Sequence, residues 1–213
     1  MAFPDTPTQL ITPYKDEALN KVYNLLFCDD INLYRSETLY NTFPWDVLLA
    51  DQPDTGKLEA VAGDQSLETR HRLLAYKQLK AAGTPSQQRV LLAVIIEVAM
   101  DNGLDVLAAF NDGTARYINY SGKLLIWETQ TKESNQLITQ LFNDSVNVVN
   151  RIGPWDGERR PYPVNGAIRL SFLVSGDLYF GEGPFEVLQS DAMGGPVVQS
   201  ATMLMTYLTQ QKR

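Results

Sequence analysis

The chain has 213 residues, 44% of them hydrophobic and 20% charged, with a formal net charge of −7. That composition is ordinary for a soluble globular protein, and the length suits one large domain or a domain with an appendage. No apolar run approaches the roughly 20 residues that span a bilayer, and the acidic balance argues against nucleic acid or an anionic membrane as partner, since both ask for a positive field.

Met1–Pro13 holds three prolines and reads as irregular surface chain. It shows neither the basic region nor the apolar run of a secretory signal, and Cys28, the single cysteine, has no partner for an internal disulfide. A cytoplasmic home is the expectation. Tyr14–Phe27 reads as a first helix, with Leu19, Val22, Tyr23, Leu26 and Phe27 on one face and Asp16 and Glu17 favouring its first turn. Cys28 ends that stripe and reads as a packed thiol.

Asp29–Gly63 is rich in Leu, Tyr, Phe and Trp, including Leu39 and Tyr40, but has no clear period. Short helices are expected near Asp46–Leu49 and Lys57–Ala62, separated by the breaker Asp51–Gly56. Residues 1–63 therefore read as a mainly helical and irregular N-terminal segment packed on an α+β domain, 64–213. Leu67–Ala82 is a helix with Ser66 as N-cap and Gly83 just past its end.

Arg89–Glu128 is the organising stretch. Apolar, β-branched runs are divided by Asn102-Gly103, Asp112-Gly113 and Ser121-Gly122. Such pairs are hairpin signals, because both central residues of a type I′ turn need positive φ. The spacing predicts a four-stranded antiparallel meander. Two-residue loops would place Glu97 opposite Ala108, Ala108 opposite Tyr117, and Tyr117 opposite Ile126. On the other face Ala109 would meet Arg116, and Arg116 would meet Trp127, with Tyr120 nearby. Asp105 would sit between Met100 and Tyr120. Strands alternate faces, so these rows stay apart unless a bulge intervenes. The first strand is apolar on both sides, which suits a strand covered twice.

Lys132–Ile152 is a second long helix, capped by Thr131, with Ile138, Leu141, Phe142, Val146, Val149 and Ile152 as its stripe. Trp155–Gly166 is a Pro-containing loop. Ala167–Val174 and Leu178–Phe180 form a hairpin around Ser175-Gly176-Asp177, and Phe185–Leu188 reads as an edge strand after Pro184. A last helix starts near Pro196 with Val197, Ala201, Leu204, Met205 and Leu208 inward. The fold class is α+β: an antiparallel sheet built on the meander at about 89–128, a later two- or three-stranded unit at about 167–188, and helices on the sheet faces.

Chemistry is sparse. One cysteine and one histidine, far apart, make no zinc set. His71 shares a helical face with Leu67 and Leu74 and reads as packing against the sheet. Gly181-Glu182-Gly183-Pro184 lacks the third glycine and the helix of a dinucleotide fingerprint. Gly194-Gly195-Pro196 opens a helix whose free N–H groups could hold an anion, though such helix starts are commonplace. No cofactor is called for. Glu97 stands alone in an apolar strand. Buried, it needs a donor or a raised pKa, and its reading divides between an acid/base group and a structural hydrogen bond. Arg116 beside Trp127 reads as a cation–π pair, structural or recognitional. The loop residues Trp155, Arg159, Arg160 and Tyr162 are the hot-spot types, and read either as partner contacts or as a lid over a core edge. The leading expectation is a non-catalytic protein–protein interaction or adaptor module, of which an inhibitor or immunity-type protein is one version. Alternatives are a small-ligand sensor with a pocket at Glu97 and Tyr117, and a carboxylate-dependent enzyme. The last would need converging carboxylates, whereas Glu97 and Asp105 are placed on opposite faces.

Overall fold

A computed structural model describes residues 10–36, 41–164 and 166–211. Leu39 and Tyr40 lie outside the described residues. The described residues form seven α-helices and one six-stranded antiparallel sheet, an α+β fold. In chain order these are α1 (Glu17–Leu25), a 3-10 turn (Ile31–Tyr34), α2 (Trp45–Leu48), α3 (Thr55–Gly63), α4 (Thr69–Ala81), β1 (Leu91–Met100), β2 (Gly103–Phe110), β3 (Ala115–Ile118), β4 (Leu124–Trp127), α5 (Lys132–Val149), β5 (Ala167–Val174), β6 (Asp177–Pro184), α6 (Phe185–Ser190) and α7 (Gly194–Gln210). The strand order is β4-β3-β2-β1-β5-β6, so the meander is extended at its first strand by the later hairpin.

Two helical layers cover the sheet. Tyr23, Phe27, Leu58, Val61, Leu73 and Leu74 pack on Ile95, Val106, Ala108, Phe110 and Ile118. On the other face Ile138, Leu141, Val197, Leu204 and Leu208 pack on Val94, Ile96, Leu107, Ile168 and Phe172. β1 is therefore buried on both sides, as its double apolar pattern requires. One bulge interrupts its pairing with β5, where Leu91 faces Val174 and Ala93 faces Leu173. The extra residue, Leu92, joins Ala93 in the N-terminal layer while Leu91 turns to the other.

The meander stands, but its register differs from the expected one. The first turn is Asp101-Asn102, with Met100 opposite Gly103, so Glu97 faces Val106 rather than Ala108. This shift of two keeps every side chain on its expected face. The next two turns have three-residue loops. Phe110 N–H donates to Thr114 O at 2.9 Å and Asn119 N–H to Lys123 O at 3.0 Å, with Gly113 and Gly122 at φ +84° and +83°. A glycine in the left-handed position of a three-residue loop gives a G1 bulge. Each loop moves the register by one, so Ala108 faces Arg116 and Arg116 faces Ile126. A slip of one exchanges faces. Tyr117 thus leaves the face of Glu97, and Trp127 leaves that of Arg116. Asp105 pairs with Val98 and remains opposite in direction to Glu97.

Other expectations change locally. Asp16 caps α1 instead of lying in its first turn. At α4 the N-cap position is Glu68, not Ser66, and the carboxylate of Asp112 accepts from Thr69 N–H at 2.7 Å. Thr131 caps α5 as expected, in a reciprocal pair with Ser134. Val146 is 41% exposed; Ser145 and Val148 take its place inside. Phe185–Leu188 is not an edge strand but the start of α6, with Phe185 and Leu188 packed on the core and Val187 turned out. His71 meets Trp45 of α2, the two rings nearly perpendicular with centroids 4.7 Å apart.

The β5–β6 turn is Ser175-Gly176, both at positive φ. A Cβ on Gly176 would lie 2.7 Å from the backbone oxygen of Tyr76, whereas one on Gly83, at φ +77°, would meet nothing within 4 Å. Gly83→Ala should cost about 1–2 kcal/mol from the left-handed backbone alone, and Gly176→Ala clearly more, because helix α4 must move. Chemical denaturation of both variants checks this. Equal losses would show that the Tyr76 contact does not constrain the turn.

Candidate functional site

The most demanding residue in the sheet is Glu97. It lies in the central strand β1 and has no exposed surface. An ionised carboxylate there needs donors and a counter-ion. The donor is Tyr23 of α1, whose hydroxyl gives a 2.6 Å hydrogen bond to Oε1. The counter-ion is Arg169, its cross-strand neighbour on β5, with Nη1 3.6 Å from Oε2. That distance is ion-pair range but beyond hydrogen-bond reach, so Oε2 has no hydrogen-bond partner. Burial raises the Glu97 carboxyl above its ordinary value; the Tyr23 bond and the Arg169 and Arg159 charges oppose this without cancelling it. Burial and the Glu97 charge likewise push the Tyr23 hydroxyl well up.

Arg169 spends the rest of its guanidinium on the 150s loop and on β6. Nε and Nη2 meet Glu182 Oε2 at 2.7 and 2.6 Å, Nη1 donates to Arg160 O at 3.2 Å, and Nη2 donates to Pro161 O at 2.5 Å. A second arginine fixes the same loop to α1. Arg159 donates to Asp29 Oδ2 at 2.5 Å and Asn24 Oδ1 at 2.7 Å, and its guanidinium lies 4.1 Å from the Phe27 ring centroid. The loop is thus held from beneath by two arginines. Trp155 holds it from the side: its N–H donates to Leu178 O at 2.7 Å, and its indole N–H to Glu158 O at 2.9 Å. Gly157 is needed here, since a Cβ would sit 2.9 Å from the indole.

The loop residues separate into two groups. Arg159 and Tyr162 point inward, Tyr162 against the N-terminal core layer. Trp155 is 38% exposed and meets Phe180 edge-on at 5.3 Å, and the exposed Arg160 lies 5.4 Å from the Trp155 ring. The other sequence candidates do not join this cluster. Tyr117, on the opposite face, donates to Asp105 Oδ2 at 2.8 Å. Arg116 donates to the backbone oxygens of Ala115 and Trp127 and pairs with Glu128 at 2.8 Å. The Trp127 ring instead meets Tyr207 of α7 edge-on at 5.8 Å. The expected Arg116–Trp127 stack and the Glu97–Tyr117 pocket are both absent, because the two three-residue turns separate their members.

In the sequence Tyr23 has a place on a helix stripe and Glu182 one in a glycine-rich stretch, but nothing marks them or Asp29 as site residues. Arg169 carried a usable signal: it is the lone cation of the apolar run Ala167–Val174, as Glu97 is the lone anion of its own strand. Two isolated opposite charges in strands buried on both faces call for each other.

Elsewhere, the Gly194 helix start is taken by the chain's own carboxylate: Asp191 Oδ1 accepts from Met193 and Gly194 N–H at 2.9 and 2.7 Å. Cys28 is buried against Tyr34, and burial pushes its thiol up to about 12. Among the described residues no group of three or more His, Cys, Asp or Glu is arranged to hold a metal ion, and no helix is long and apolar enough to cross a membrane. No protein-family model, curated protein or solved structure matches the chain.

The raised carboxyl has a pH signature. Folded Glu97 keeps its proton to higher pH than the unfolded chain does, where Glu titrates near 4.3. Native-state stability therefore falls as pH rises through that value and stops falling above the folded pKa, with a slope of at most about 1.4 kcal/mol per pH unit. Glu97→Gln removes the effect. Its unfolding free energy relative to the native sequence should climb from pH 4 to pH 7 in denaturant titrations; a relative decline would mean that the folded carboxyl is the stronger acid.

Proposed function

We propose that this protein is a non-catalytic protein–protein interaction module that docks its partner on the Trp155–Arg160 platform. One observation carries the reading: the loop is fixed from inside by Arg159 and Arg169, while Trp155 and Arg160 stay outside and stacked. Tryptophan and arginine dominate binding hot spots. A surface already ordered in the free protein gives up little conformational freedom on docking, which favours affinity. The inward pair, Arg159 and Tyr162, positions the platform rather than touching the partner. Net charge of −7 supports a protein partner over nucleic acid, and one with basic surface. A cytoplasmic setting goes with this reading.

Glu97 is assigned a structural part. It has no exposed surface through which a substrate could reach it.

The test uses the full chain as bait in extracts of its native cells, with cross-linking. Proteins captured by the native sequence should be lost with Trp155→Ala and with Arg160→Glu, while circular dichroism is unchanged and the melting temperature moves by less than about 4 °C, the equivalent of roughly 1 kcal/mol in a chain of this size. Capture of the same proteins by both variants, or no specific capture by the native sequence, would contradict the proposal.

A further inference from the structure

A second polar feature lies apart from the platform and shares no residue with it. A cleft of about 260 Å³ opens between α3, α4 and the adjoining ends of β1 and β2. Arg72, Tyr76, Gln65, Gln88, Asn111 and Asp112 line it. Arg72 is 7% exposed and carries no ion pair among the described residues. Its Nε donates to Ala62 O at 3.1 Å. Among the described residues the two Nη groups have no hydrogen-bond partner, and neither is sealed from solvent. The Arg72 charge acts on Asp64, a carboxylate at the end of α3, and the Nη edge is left open to water or to a ligand.

The neighbours point to what that ligand is. Tyr76 and the exposed Gln65, Gln88 and Asn111 line the cleft with Arg72, and among the described residues their side chains make no hydrogen bond to the protein, so hydrogen-bonding groups are available around it. The lining carboxylate, Asp112, is already engaged. Its Oδ2 accepts from Thr69 N–H at 2.7 Å, and its Oδ1 from Thr114 N–H and Oγ1 at 3.0 and 2.7 Å. It does not pair with Arg72, but its charge remains on the wall. With Asp64 it sets two carboxylates near the one guanidinium, which disfavours a dianion far more than a single negative charge. The free edge of a guanidinium matches the two oxygens of a carboxylate. The amides and the phenol suit hydroxyl or carbonyl groups beside it. The cleft is smaller than the roughly 300–1,000 Å³ of drug-sized ligand sites, so its ligand is small.

We infer that this cleft binds a small polar organic carboxylate, held by the Nη edge of Arg72 and selected by the amide and phenol groups around it. A ligand site so placed would stabilise the packing of α3 and α4 on the sheet.

The test is titration of the ¹⁵N-labelled full chain with L-lactate, acetate, inorganic phosphate and sodium chloride. L-lactate should give saturable shifts of the Arg72 Nε–H and of the Asn111 and Gln88 side-chain amides, acetate weaker ones, and phosphate and chloride none beyond ionic-strength drift. Arg72→Gln should abolish the response. Because Arg72 also holds Ala62, Gln88→Glu on the exposed rim is the second variant. It keeps the fold and should weaken lactate at least about tenfold by setting a like charge beside the ligand. Absence of saturable shifts, a phosphate or chloride response equal to that of lactate, or full binding by Gln88→Glu would each overturn the assignment.

Discussion

A carboxyl group with no exposed surface sits at the centre of this sheet, and much of the surrounding architecture serves it. Glu97 belongs to the strand that joins the meander to the later hairpin, where both faces are covered. Water cannot solvate it, so the protein must. Tyr23 arrives from the first helix, Arg169 from the neighbouring strand, and each brings further partners. Removing one member of such a buried pair typically costs about 3–5 kcal/mol, whereas replacing the whole set by well-packed apolar residues can be neutral. The network is therefore better understood as a device for position than as a source of stability.

What it positions is the segment between α5 and β5. Arg169 bonds two consecutive carbonyl oxygens of that loop, and Arg159 joins it to Asn24 of α1 and to Asp29 beyond the helix end. A Pro-containing loop at the surface has few ways to stay in place by its own backbone bonds. Here two guanidiniums supply that order, since a planar fork of donors can hold a carboxylate and a carbonyl together. The outward side, Trp155 and Arg160, inherits the rigidity. The buried charges and the exposed aromatic surface are two sides of one loop, which is why partner binding is the reading this geometry supports best.

The elements themselves were largely legible in the sequence. Strand and helix existence followed from apolar period and from Gly and Pro punctuation, and Ala167–Val174 was read to its ends. Register was not. Asp112-Gly113 and Ser121-Gly122 satisfy the signature of a two-residue turn, yet each glycine closes a three-residue loop, and the difference of one residue reverses every side chain beyond it. Gly103 departs from the turn signature in another way. It lies in β2, not in a turn, and a Cβ there would come within 2.5 Å of Tyr120 O. The Glu97–Tyr117 and Arg116–Trp127 pairs rested wholly on the assumed register and went with it. Tyr23 and Asp29 were out of reach for a different reason: their contacts cross more than 70 residues of chain, and only tertiary packing brings them to Glu97 and Arg159. Arg72 had no marker at all, because an arginine in a helix looks solvated until the helix is docked.

The central claim is that the buried charge network fixes the Trp155 loop. Amide hydrogen exchange in Arg169→Lys tests it most directly, since lysine keeps the charge but cannot hold Glu182 and both loop carbonyls at once. After correction for any change in global stability, the Trp155 amide, bonded to Leu178 O in the native protein, should exchange at least about tenfold faster, a local opening roughly 1.4 kcal/mol easier. Amides in the middle of β1 should keep their protection. Unchanged exchange at Trp155 would contradict the account and leave the loop held by its own contacts alone.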